Sequence, residues 1–400
     1  MKTNDVLEKL ENPTGFDVAC GGIGGLNRTI SLIGCGFVAD LYMRSLQAMG
    51  GIEVAAVYDR NAERLKAFCS FWNMPAVPDL DSLLAQHRRD GVVLNLTNPA
   101  AHYEINRRSL EAGFHVYSEK PLATNLDDAK ALIDLAGEKG LMMVSAPCSV
   151  LGEAAQTLGH AIRNDIAGTP RLIYAELDDG FVPQAMYRKW ISETGAPWPY
   201  EDEFCVGCTL EHAGYYLSWL ISWFGSVESV TAASTETIPD KIGSGPMAPD
   251  FSTATLFFEN GPVARLTCSI VAPHDHSIRI VGDKGVLSCD AAWDNGAKVK
   301  YARRVNIRRR LMEMPLKRRI RLKGSTHPKV GRRGAAAMNF MLGPAEMLDA
   351  IAEGRACRLS NAHGLHMTEV TLAMQNAGRT GGAKPMTTST EKMEPMPWAR

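Results

Sequence analysis

The feature that most constrains this chain is a glycine turn with a strand before it and a helix after it. Thr29-Ile30-Ser31-Leu32-Ile33 is a β-rich run leading directly into Gly34-Cys35-Gly36. From Phe37 to Met49, apolar residues recur at helical spacing, at Phe37, Leu41, Leu46 and Met49. Ile52 to Tyr58 then reads as a second strand, ending at Asp59. Glycines in such a turn let the chain reverse tightly and let backbone N–H groups approach a pyrophosphate at a helix N-terminus. An acid about 20 residues past the turn is placed to accept hydrogen bonds from ribose hydroxyls. Gly34, Gly36, Phe37, Val38 and Asp59 are therefore candidate dinucleotide contacts. An earlier cluster, Gly21 to Gly25, runs into Leu26-Asn27-Arg28 and the strand itself, with no room for a helix. It is expected to be a joint between an N-terminal arm and the first strand.

The alternation continues. Helical patterns at 61–70, 80–87, 101–112 and 127–139 are interleaved with buried-strand runs at 91–96, 114–117 and 141–145. That order predicts a doubly wound parallel sheet, whose ligands bind at the carboxyl ends of the strands. Thr97-Asn98-Pro99 and Glu119-Lys120-Pro121 fall at such ends. Beyond residue 150 the pattern changes to longer strands, at 170–181, 226–233, 251–259, 262–271, 277–281 and 285–287, with a closing helical segment at 343–377. The expected division is an arm (1–28), a dinucleotide-binding domain (29–148), an α+β domain (149–380) and a tail (381–400). Four hundred residues suffice for two cores.

Composition excludes several classes. No apolar run approaches the roughly 20 residues that span a bilayer. The opening MKTNDVLEKLENPTGF has no signal-like apolar core, and nine cysteines at scattered spacing favour reduced thiols. A cytoplasmic protein is expected. A net charge of −1 gives no global attraction to nucleic acid or membrane.

The loop Gly34-x-Gly36-x-x-Ala39, Asp59, Thr97-Asn98-Pro99 with His102, and above all Glu119-Lys120-Pro121 resemble the glucose–fructose oxidoreductase, inositol dehydrogenase and rhizopine-catabolism (Gfo/Idh/MocA) family. The resemblance spans the nucleotide domain and continues more weakly to about residue 380. It implies a Rossmann domain followed by an open, mainly antiparallel sheet flanked by helices and often used in oligomerisation, so a dimer or tetramer is expected. It also implies hydride transfer between a carbinol of a sugar-like substrate and nicotinamide C4. Lys120 would supply positive charge and share the proton relay, and Glu119 would contact the nicotinamide side. Thr97, Asn98, Pro99 and His102 join the cofactor candidates. Asp59 favours NAD over NADP because it would repel a 2′-phosphate, a preference that Arg60 softens.

The family's usual base is a histidine four residues after an aspartate; here Glu211 and Tyr215 occupy those positions, with His212 beside them. Spacing of four puts two side chains on one helix face. A tyrosine base starts near pKa 10 and would need the charge of Lys120 to lower it. Tyr215 and His212 are both candidates for that role. After the strand at 141–145 the chain reads Ala146-Pro147-Cys148-Ser149, unlike the Asn/Arg-Phe pair of many relatives, so no relative's sugar carries over. Arg188 and Trp190 are further substrate candidates, although Trp190 reads equally as simple packing. Redox-neutral glycoside cleavage through a keto-sugar and a non-catalytic dinucleotide-binding regulator are the alternative functions.

No metal is expected: Cys205 and Cys208 lack a second pair, and neither His274 with His276 nor His363 with His366 has a carboxylate-rich frame. Residues 298–333 hold fifteen Lys and Arg against one acid, Glu313. Almost without aromatics, this stretch reads as a solvated loop or subunit contact rather than a nucleic-acid site, with an anionic substrate as the minority reading.

Overall fold

The computed structural model describes residues 28–86, 91–243 and 245–400. The arm, the Gly21–Gly25 joint and the end of the helical pattern near His87 lie outside these residues. Five strands form the first sheet: β1 (Thr29–Ile33), β2 (Glu53–Tyr58), β3 (Val92–Asn95), β4 (His115–Ser118) and β5 (Met143–Ser145). All pairs are parallel, in the order β2-β1-β3-β4-β5. Four of these strands are buried along their whole length, as expected of a parallel sheet covered on both faces. Its helices are α1 (Phe37–Met49), α2 (Ala62–Trp72), α3 (Leu80–Leu84), α4 (Pro99–Glu111) and α5 (Leu126–Glu138).

Helix capping separates these helices into two kinds. Side chains of Asn61, Asp79 and Asn125 accept the N–H three residues on and close the starts of α2, α3 and α5. α1 begins at Gly36 and α4 at Asn98-Pro99, and neither has a side-chain cap. Those two helices start at the sheet's switch point, between β1 and β3, where their first amides are left for another acceptor.

The second domain opens with α6 (Glu153–Arg163) and the long strand β6 (Pro170–Phe181). Three helices follow, α7 (Tyr200–Val206), α8 (Cys208–His212) and α9 (Gly214–Phe224). Next come β7 (Val227–Thr235), β8 (Phe251–Phe258) and β9 (Val263–Ser269). The expected single strand at 262–271 is broken. β9 runs parallel to β6 on one side; the chain then crosses the end of β6, and β10 (Val271–Asp275) and β11 (Ile278–Gly282) return antiparallel on its other side. That crossover brings His274 and His276 beside the carboxyl end of β6. The sheet continues through β12 (Gly285–Cys289) and β13 (Val299–Ile307).

The basic stretch is more ordered than a solvated loop. β13 turns at Arg308 and pairs with β14 (Arg310–Glu313), while β15 (Arg318–Ile320) pairs with the start of β13. Leu311, Met312 and Leu316 are exposed there. Alternating burial along β8 and β9 reflects one covered face, against which α8 packs, and one open face.

The closing helices α10 (Leu342–Glu353) and α11 (Asn361–Gln375) pack back on the first domain. Ser45 in α1 accepts the Phe340 amide at 3.0 Å, and Asn361 accepts that of Met143 at 3.1 Å. Residues after 380 do not form a separate tail. β16 (Gly382–Pro385) pairs with β7, Thr387 and Thr388 donate to Glu369, and Arg163 donates to the Ala399 carbonyl at 2.7 Å. β7 would otherwise present an open edge, and the tail satisfies it. No helix among the described residues is long and apolar enough to cross a membrane.

Candidate active site

A cavity of about 930 Å³ opens at the carboxyl ends of β1 to β4 and runs beneath the end of β6 and helices α7 to α9. Its volume lies near the top of the range of about 300–1,000 Å³ for small-molecule sites. At one end the walls are Gly34, Gly36, Phe37, Val38, Tyr58, Asp59, Arg60, Arg64 and Thr97 to Pro99. Gly34 has φ +98, and a Cβ there would stand 2.8 Å from the Leu96 carbonyl and Thr97 nitrogen. Only glycine fits that crossing of β1 and β3. Gly36 has no atom within 4 Å of where its Cβ would be, so the backbone is bare toward the cavity. Bare backbone, unclaimed helix amides and an acid at the end of β2 suit a dinucleotide. Asp59 also ties the turn together, accepting the amides of Cys35 at 2.7 Å and Asn61 at 2.8 Å.

At the other end, Glu119 and Lys120 meet Glu211, His212 and Tyr215 from α8 and α9. Glu119 accepts the Tyr42 hydroxyl at 2.6 Å. Lys120 is ion-paired with Glu211. Burial pulls the Lys120 pKa down, but Glu211, Tyr215 and Glu119 more than offset this and it ends above the usual lysine value. Burial likewise raises Glu211, and Lys120 only partly reverses it. The expectation that Lys120 makes Tyr215 a base is corrected: the ammonium does lower Tyr215, but burial weighs more and the phenol stays protonated.

His212 is not a free base either. Its Nδ1 stands 2.6 Å from Asp179 and its Nε2 3.4 Å from Glu203. Burial opposes its charge, yet the two carboxylates push its pKa up to about 10. It is an imidazolium at neutral pH, already holding the proton a base would have to take. Asp179, although buried, is held below the usual carboxylate range by His212 and by His276, whose Nε2 is 2.5 Å away. Trp293 covers this group, with its ring centroid 4.3 Å from that of His276 and 5.6 Å from that of Tyr215.

Of the other residues singled out in the sequence, Trp190 lines the cavity and packs edge-on to Trp198. Arg188 does not reach it: its guanidinium lies over the Tyr200 ring and donates to the Tyr200 hydroxyl at 3.0 Å. His102 is fully buried behind the wall, its ring nitrogens 2.7 Å from the Pro121 carbonyl and 3.0 Å from that of Thr97. It ties two strand-end loops together rather than facing the cavity. Asp179, Glu203 and Trp293 were not found from the sequence. The signal for Asp179 was an acid pair, Asp178-Asp179, before Gly180 at a strand end. Asp179, His274 and His276 also bring three possible metal-ligand atoms within 4.8 Å, a grouping that spacing alone did not reveal.

Comparison with known proteins places the chain in a family. Residues 28–146 match the model described as the oxidoreductase family, NAD-binding Rossmann fold, and residues 155–288 match the GFO/IDH/MocA C-terminal domain. The chain belongs to the Gfo/Idh/MocA family of oxidoreductases. D-apiose dehydrogenase from Paraburkholderia graminis is 25% identical over 274 residues, covering 66% of this chain and 68% of that protein. The WlbA dehydrogenase from Bordetella pertussis, solved with NADH and UDP-GlcNAcA, superposes with a TM-score of 0.67. It is 19% identical, covering 91% of this chain and 99% of that one. A 3-ketoreductase from Actinomadura kijaniata, solved with TDP-benzene and NADP, gives 0.65 at 18% identity, covering 88% and 98%. At those identities the two structures bear on fold alone.

Proposed function

We propose that the protein transfers a hydride between a carbinol of a sugar or polyol and a nicotinamide cofactor, with NAD preferred to NADP. The observation that carries this reading is the meeting of Lys120, from the end of β4, with Glu211 and Tyr215 in a cavity that begins at Gly34 and Gly36. Gly34, Gly36, Phe37 and Val38 would hold the pyrophosphate, and Asp59 the adenosine ribose. Thr97, Asn98, Pro99 and Glu119 would hold the nicotinamide half. When bound, the nicotinamide accepts or returns the hydride at C4.

The protein's part is positioning and proton handling. The Lys120 ammonium orients the carbinol oxygen and stabilises negative charge on it. Tyr215, protonated, donates a second hydrogen bond to the same oxygen. During oxidation the hydroxyl proton needs an acceptor, and within the trio Lys120, Glu211 and Tyr215 that acceptor is Glu211. The proton passes through Lys120 to the Glu211 carboxylate; reduction reverses the path. The carboxylate of Asp59, at the end of β2, would repel a 2′-phosphate, which favours NAD, while Arg60 and Arg64 on the same wall would moderate the preference.

The test is a panel of sugars, polyols, uronates and nucleotide sugars, each followed by reduced-cofactor absorbance with NAD and with NADP. Turnover of at least one carbinol, faster with NAD at equal subsaturating concentration, is expected. Binding of NAD without turnover of any carbinol would overturn the reading.

A further inference from the structure

The hairpin within the basic stretch contributes nothing to the cavity wall, and it overhangs the body of the sheet. β12 stops opposite Arg303, whereas β13 runs on to Ile307 and is paired there with β14. Residues 306–319 are exposed without a break. Five of them are large and apolar: Ile307, Leu311, Met312, Met314 and Leu316, the last 85% exposed. Strand residues alternate between faces, so Met312, opposite Val305, and Leu311, opposite Asn306, lie on different sides of the hairpin. Apolar surface left open on both sides of a projecting edge calls for a partner.

The same residues carry unneutralised charge. Among the described residues, Arg308, Arg309, Arg310, Lys317, Arg318 and Arg319 have no ion pair or side-chain hydrogen bond, and Glu313 is taken by Arg304 at 3.7 Å. Six free cations call for an anionic partner, and the apolar side chains call for one with a non-polar phase. Nucleic acid meets the first demand alone, and residues 298–333 hold only Tyr301 to stack on bases. A second copy meeting this edge about a twofold axis would set arginine against arginine. A flat protein surface would also cover one side of the hairpin and leave the other in water. A bilayer with negative headgroups meets both demands: the guanidinium groups stay at headgroup level while side chains from both sides enter the acyl boundary.

We propose that the hairpin at 306–319 docks the protein on membranes that carry anionic lipids. The chain's net charge of −1 conceals this surface, because the acids that balance it lie elsewhere in the sequence. The proposal is independent of the hydride-transfer reading.

The experiment sediments the full chain with vesicles of phosphatidylcholine alone and of phosphatidylcholine mixed with phosphatidylserine. Binding about tenfold or more tighter to the anionic vesicles is expected, weakening as salt rises from about 0.05 to 0.2 M. Arg308→Gln, Arg309→Gln and Arg310→Gln combined should lower that affinity about tenfold or more. Leu311→Ser with Leu316→Ser should lower it about fivefold or more at unchanged charge. NADH affinity equal to that of the wild type reports that each variant is folded. The proposal is overturned if anionic vesicles are bound no better than neutral ones, or if either folded variant binds them like the wild type. It is also overturned if a mixed-sequence RNA is bound as tightly as the anionic vesicles. Dissociation of a wild-type oligomer by the leucine variant, followed by light scattering, would overturn it too, by placing the hairpin between copies.

Discussion

The two ends of the cavity are built in opposite ways. The cofactor end comes from consecutive strand-end turns of one sheet: Gly34 after β1, Asp59 after β2, Thr97 after β3 and Glu119 after β4. Each lies within a few residues of a strand whose pattern is legible in sequence. The substrate wall gathers Asp179 from β6, Glu203 from α7, His212 and Tyr215 from α8 and α9, and Trp293 from a loop after β12. His276, more than 60 residues from His212 in sequence, completes that wall by reaching Asp179. Local rules govern the first end, and sheet topology governs the second. A change at the first should therefore act through backbone geometry, and a change at the second through charge.

The largest effect expected from this contrast is at Lys120, where the two ends meet. Lys120→Ala should lower turnover by about 10²–10⁴-fold while NADH affinity, measured by fluorescence titration, changes little. An equal loss of both would mean that Lys120 belongs to the cofactor end alone.

Gly34→Ala should do the reverse. The left-handed backbone alone costs about 1–3 kcal/mol for a residue with a side chain, before the overlap with Leu96. Lower thermal stability and lost NADH affinity are expected together. A variant that binds NADH normally would break the assignment of the turn.

The smallest effect should be a pH dependence confined to the substrate wall. His212 is raised above its unfolded value of about 6.5. The stability it contributes is full below that value and lost as pH rises through about 10. Between pH 7 and 10 the wild-type melting temperature should therefore fall by about 2–5 °C more than that of His212→Gln. Parallel profiles for the two proteins would show that the Asp179–His212–Glu203 group does not hold its charge.

Much of the fold was readable in advance because parallel strands buried on both faces show as short apolar runs, and the turns between them need glycine, proline or a capping residue. The doubly wound sheet and the Gly34 turn were anticipated on that basis and by the family resemblance, whereas the pairing of Lys120 with Glu211 came only from the structure. What went astray has a common cause. Tyr215 was assigned a lowered pKa from one neighbouring charge, but burial decides its state. His212 was offered as a base without knowledge of Asp179 and Glu203 beside it. Arg188 was placed by proximity in sequence, and Tyr200 turns it elsewhere. The residues after 380 lacked a strong strand pattern because β16 is a short, exposed edge whose reason to exist is the open side of β7.

By itself, the sequence determined the order of elements, the position where backbone must be bare, and the identity of the groups that carry charge. Those follow from short-range sterics and from the period of apolar residues. Only the tertiary structure decided which charges face one another, and hence which group is protonated. Proton affinities in a buried site depend on desolvation and on neighbours within a few ångströms, and here those neighbours come from strands and helices far apart in the chain.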